Sequence, residues 1–86
     1  MPVPAISKRF GIAVRARRTA ARVTQEELAE RAERAGLHPT YVSMVERGVR
    51  NPTLDVAARI AKALRVELPR LAEEAEGQRV GRGRRV

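Results

Sequence analysis

The chain has 86 residues, a formal net charge of +8, one Phe, one Tyr and no cysteine. That length holds one small domain, and the missing cysteines exclude a disulfide framework and a thiolate metal site. No apolar stretch is long enough to span a membrane, no signal-peptide layout precedes the domain, and no alternating β-branched run suggests a sheet, so a helical core of Leu, Val, Ile and Ala is expected.

Residues 1–6 open with Met-Pro-Val-Pro and read as a flexible N-terminus. A first helix starts at Ser7 or near Pro4 and runs to about Ala21, with Phe10, Ala13, Val14 and Ala20 expected to face the core. Thr24 and Glu27 have the spacing of a capping box, which starts a second helix at Gln25. Leu28, Ala32 and Ala35 form its apolar stripe, and Gly36 ends it because glycine enters the left-handed region without steric cost. Inside this helix residues 30–32 and 33–35 are both Glu-Arg-Ala. His38-Pro39 suits the first turn of a third helix, with Val42 and Val45 inward and Gly48 as its stop. After a loop through Pro52, Thr53 caps a fourth helix over residues 54–64, with Leu54, Ala57, Ile60, Ala61 and Leu64 on its apolar side. A fifth runs from Leu68 to Ala75 with Leu68, Leu71, Ala72 and Ala75 on one stripe. The domain is therefore expected over residues 7–76, followed at 77–86 by a disordered basic tail rich in Arg and Gly.

The charge is unevenly placed. Residues 1–22 carry six basic side chains and no acid, residues 23–76 carry eight basic and ten acidic, and residues 77–86 carry four arginines and no acid. Basic ends around a nearly neutral middle favour a polyanionic partner, double-stranded DNA ahead of a membrane surface. Enzyme classes find no support: the sequence has no nucleophile–base pair, phosphate loop or metal-ligand cluster. His38 is the sole histidine and reads as a helix cap. Glu46 and Arg47 read as a structural ion pair or cap, and Glu73, Glu74 and Glu76 as a solvated face. No catalytic residue, cofactor, metal or small-molecule ligand is expected.

The order of these signals resembles the Cro/lambda-repressor-like, or XRE, helix-turn-helix family. Gln25, Leu28-Ala29, Gly36, Tyr41-Val42-Ser43, Glu46-Arg47-Gly48 and Asn51-Pro52 carry the resemblance, which covers about residues 8–72. It implies an all-α, compact five-helix DNA-binding domain, and a cytoplasmic, nucleoid-associated transcriptional regulator that binds an operator as a homodimer. The third helix would enter the major groove, with Pro39, Thr40, Ser43 and Met44 at base-reading positions. Arg18, Gln25, Tyr41, Arg50 and Asn51 would meet phosphates, and Leu68, Leu71 and Ala75 would form the dimer surface.

The Glu-Arg-Ala repeat departs from the family. Relatives usually place about three residues between the Ala of the second helix and the turn Gly, whereas six separate Ala29 from Gly36. A helical insert adds roughly 4.5 Å and misdirects the turn by about 60°. Either the second helix lengthens by three residues, which the Leu28, Ala32, Ala35 stripe favours, or residues 32–37 form a longer loop. The insertion and Pro39 leave open an alternative function, a protein-interaction or antitoxin-like module with weakened DNA recognition. Arg22 and Arg65 also stand where relatives commonly carry a helix-ending glycine.

Overall fold

The structure, a computed structural model, describes residues 2–78. Five helices account for its regular structure: α1 (Ala5–Ala20), α2 (Gln25–Arg34), α3 (Tyr41–Glu46), α4 (Leu54–Ala63) and α5 (Leu68–Glu76). Helix α1 is the spine, packing on α5 and on α3, while α2 packs on α3 and α4. Phe10, Val14, Leu28, Val42, Val45, Ile60 and Leu71 fill the shared centre. The helices α1 and α5 are tied by Arg17, whose Nε donates to Glu74 Oε1 at 2.8 Å. That guanidinium holds the Glu74 carboxyl below its ordinary range.

Some boundaries move. Helix α1 opens at Ala5, with Pro4 before it, so part of the expected flexible segment is helical. Helix α3 begins at Tyr41, because residues 38–40 form a tighter turn in which the Tyr41 N–H bonds the His38 carbonyl. Ala20 and Leu54 are exposed, since Ala20 lies on the outer side of the last turn of α1 and Leu54 at the outer edge of the first turn of α4. The expected tail lies, from Arg79 onward, outside the described residues.

The capping box is present: the Glu27 N–H donates to Thr24 Oγ1 at 3.0 Å and the Thr24 N–H to Glu27 Oε1 at 2.8 Å. The Thr24 N–H bond to the carboxylate is the main cause that lowers the Glu27 pKa. From this fixed start α2 runs unbroken to Arg34, inside the second Glu-Arg-Ala copy, with Ala35 as its C-cap. The insert is therefore accommodated by lengthening. Ala32 is fully buried while Ala29 is half-buried, and three residues separate Ala32 from Gly36. The second copy thus restores the ordinary spacing into the turn, measured from Ala32 instead of Ala29.

Four helix ends close in the same way, with a residue at positive φ followed by an apolar one. The pairs are Arg22-Val23, Gly36-Leu37, Gly48-Val49 and Arg65-Val66. At each, the apolar residue's N–H reaches back five residues: Val23 to Arg18, Leu37 to Ala32, Val49 to Met44 and Val66 to Ala61. This 6→1 bond satisfies a terminal carbonyl, and the apolar side chain packs inward at Val23, Leu37 and Val66 while Val49 stays exposed. Two of the four positions hold arginine, at φ +59 and +61. A side chain in that region costs about 1–2 kcal/mol, partly offset here by a cation near a helix C-terminus. Arg22→Gly and Arg65→Gly are each expected to stabilise the fold by roughly 0.5–1 kcal/mol, read as a rise of several degrees in Tm. A fall in Tm would refute the strain.

The helices α2 and α4 exchange arginine caps. Arg59 of α4 donates to the Ala35 carbonyl at 2.7 Å, and Arg31 of α2 donates to the Ala63 carbonyl at 3.3 Å. Each side chain covers the negative end of the other helix, so the lengthened α2 is anchored at its far end.

Candidate nucleic-acid interface

Helix α3 is short and half sunk. Val42 and Val45 are fully buried, which leaves the opposite face to Thr40, Ser43, Met44 and Arg47. The spacing i, i+3, i+4, i+7 puts these four on one side. Thr40 and Arg47 are exposed and Ser43 and Met44 half-exposed, with Pro39 exposed in the turn before them. His38 acts as the turn's cap: its Nδ1 accepts the Thr40 N–H at 3.3 Å and lies 2.8 Å from Thr40 Oγ1.

The far end of α3 is clamped. Glu46 accepts from Arg18 Nε at 2.7 Å and Nη2 at 3.0 Å, and its Oε1 also accepts from Gln25 Nε2 at 3.0 Å. The side chains are 12% exposed for Arg18 and 2% for Glu46. The bonds to Glu46 raise the Arg18 pKa further above its ordinary value. Arg18 also donates to the Val23 carbonyl at 3.0 Å. This commitment corrects the expectation that Arg18 meets a phosphate: it joins α1 to α3 instead. Gln25 keeps its place at the start of α2, with its amide nitrogen turned inward to Glu46.

The loop after α3 gathers the other expected phosphate groups. The Arg50 guanidinium sits over the Tyr41 ring, 4.8 Å from its centroid, and its Nε donates to the Tyr41 hydroxyl at 3.2 Å. Asn51 is exposed, and its Oδ1 accepts from the buried Ser7 hydroxyl at 2.6 Å, which orients the amide. Arg47, expected in an ion pair or cap, is the C-cap residue of α3: its Nε donates to the Ser43 carbonyl at 3.4 Å, while Glu46 takes Arg18, and Arg47 stands exposed on the outer face. Its position four residues after Ser43 was the available signal. Lys8 runs past Gly48 only through the packing of α1 on α3, which no local pattern reveals.

The expected dimer residues fare differently. Leu71 and Ala75 are buried in the monomer's own core, because α5 turns that stripe onto α1, and cannot form an outer surface; Leu68 is half-exposed. An apolar groove of about 430 Å³ does open nearby, lined in part by Ile6, Leu54, Leu68, Pro69 and Ala72. Leu54 at its edge is 77% exposed. Among the described residues no helix is long and apolar enough to cross a membrane, and no cluster of side chains could hold a metal ion.

The family model for the helix-turn-helix matches residues 14–71. An HTH-type transcriptional regulator of Mycobacterium tuberculosis is 48% identical over 56 residues, which are 65% of this chain and 38% of that protein. The chain thus spans well under half the length of that relative. Among solved structures, the clp gene regulator ClgR of Corynebacterium glutamicum superposes with a TM-score of 0.78 at 29% identity, over 92% of this chain and 99% of that one. The restriction-modification controller protein C.AhdI of Aeromonas hydrophila gives 0.68 at 40% identity, over 79% and 98%. These likenesses coincide with the span that positions α3, and the chain belongs to the XRE-type helix-turn-helix family of DNA-binding transcriptional regulators.

Proposed function

We propose that this regulator reads an operator in double-stranded DNA as a homodimer, with α3 in the major groove. The observation that carries the reading is the outer face of α3, where Thr40, Ser43, Met44 and Arg47 lie together with Arg50 and Asn51 beside them. Thr40 and Ser43 can donate or accept at base edges, Met44 and Pro39 offer apolar contact to a thymine methyl, and Arg47 can take guanine through two donors. Gln25, Tyr41, Arg50, Asn51 and Lys8 are the phosphate contacts, which fix register without reading sequence. The spacing from buried Ala32 into Gly36 supports intact recognition over the alternative of a protein-interaction or antitoxin-like module, for which Pro39 remains the ground.

A six-residue helix presents few side chains to bases, so a second copy on an adjacent half-site, about 34 Å away, supplies the missing specificity. The groove beside Leu54 replaces the buried Leu71 and Ala75 as the apolar surface for that copy. Selection from random duplexes tests the reading. A palindromic consensus is expected. Arg47→Ala should cost about 1–3 kcal/mol and relax one position in each half-site, whereas Arg50→Ala should weaken all sequences alike and reduce the salt slope by about one. No enrichment would overturn the reading, and a consensus without symmetry would overturn the dimer.

A further inference from the structure

The Glu-Arg-Ala repeat has a second consequence, away from α3. Arg31 and Arg34 are the middle residues of its two copies and lie one helical turn apart on α2. With Lys62 and Arg65 from the end of α4 they surround a concavity of about 230 Å³ whose remaining lining is Ala35 and Ala63. No acidic side chain lines it. Arg31 is held by the Ala63 carbonyl. Arg34, Lys62 and Arg65 are exposed, and none makes a side-chain hydrogen bond or ion pair among the described residues.

Gathering these cations is unfavourable in an empty site. The two helix ends nearby supply only about half a negative charge each, and Arg31 and Arg59 already cover them. Arg65 is, in addition, held at φ +61, where glycine would be unstrained. What glycine would lack is the guanidinium.

We propose that this concavity binds an anionic phosphate group. Guanidinium groups match phosphate oxygens through paired N–H donors, and Lys62 adds a point charge. The volume falls below the roughly 300 Å³ at which pockets begin to enclose a drug-sized molecule, so the site takes the phosphate moiety alone. Arg34 lies nine positions after Gln25, about 13 Å along the helix, which sets this site apart from the N-terminal end of α2 that faces a phosphate in the operator reading. The phosphate can come from a free polyphosphate-bearing molecule or from a nucleic-acid backbone.

Inorganic pyrophosphate is the probe, titrated into the full chain by calorimetry at constant ionic strength. The wild-type chain is expected to bind it. The double variant Arg34→Gln, Lys62→Gln should lose roughly tenfold or more in affinity, while Arg15→Gln, Arg70→Gln, a charge-matched control at exposed positions on α1 and α5, should not. Arg65→Gly gives the sharper readout: its Tm without ligand should rise while its pyrophosphate affinity falls, two opposed changes that a purely structural arginine could not produce. Duplex binding by the double variant separates the sources. Affinity equal to wild type assigns the site to a free anion, and a loss beside the pyrophosphate defect assigns it to a backbone phosphate. Wild-type duplex binding is measured in parallel, so failure of the operator reading shows there and not in the calorimetry. Equal pyrophosphate affinity in the wild-type chain and the double variant would overturn the proposal.

Discussion

Glu46→Ala is expected to cost the fold about 3–5 kcal/mol, because it strands a buried guanidinium. Arg18 would keep its charge at 12% side-chain exposure with only the Val23 carbonyl as partner, and the Gln25 amide would lose its acceptor. For a domain of this size each kcal/mol moves Tm by about 4–8 °C, so chemical denaturation and thermal melting should both register the change plainly. The charge requirement is separable from packing. Glu46→Leu with Arg18→Met removes both ions and should recover most of the loss, since a buried pair is stabilising only against its broken halves. A loss below about 1 kcal/mol in Glu46→Ala would show that the pair is solvated in solution. The functional corollary is distinct: Glu46 fixes the end of α3 to α1 and to the start of α2, so operator affinity should fall even where Glu46→Ala is still folded.

The elements themselves were readable because their signals are local. Thr24 with Glu27, Thr53, Gly36 and Gly48 mark helix ends through backbone chemistry that needs no tertiary partner, and each acts as expected. What failed to read locally was facing. Leu54 and Leu71 lie on stripes of equal apolar quality, yet Leu54 is 77% exposed and Leu71 fully buried. The difference is set by where α5 crosses α1, a long-range fact absent from either stripe. The insert was legible as a conflict of spacing but not as its resolution, which depends on Ala32 replacing Ala29 at the packed position.

The residues proposed to face DNA split along the same line. Thr40, Ser43 and Met44 follow from a three-to-four-residue period set by buried Val42 and Val45. Arg18 could not be assigned that way, because its partner lies 28 residues on in sequence and competes directly with any phosphate. For Arg47 the cap reading holds through its bond to the Ser43 carbonyl, while a pair with Glu46 does not form, because neighbours on a helix do not face each other. Helical geometry alone places it on the outer face.

Gly11→Ala is expected to be nearly as damaging, although the residue sits mid-helix where alanine would ordinarily gain about 0.8–1 kcal/mol. Gly11 is buried in α1, and a methyl group built on it would overlap the Val45 carbonyl oxygen, with the Glu46 Cα 3.4 Å away. The obstacle is backbone, so no rotamer change relieves it; α3 must retreat from α1 as a unit. Retreat opens the packing of Val42 and Val45 and stretches the Arg18–Glu46 bonds, and overpacking of this kind costs about 1–3 kcal/mol or more. The net expectation is a destabilisation of about 2–3 kcal/mol, which lowers Tm by on the order of 10–20 °C. Ala16→Gly, an exposed site on the same helix, should cost only about 1 kcal/mol and serves as the propensity control. A Tm at or above wild type for Gly11→Ala would mean that α3 does not rest on the α1 backbone. Because the displaced element is the one proposed to read DNA, operator affinity measured well below the variant's Tm should also drop, a loss that global unfolding cannot explain.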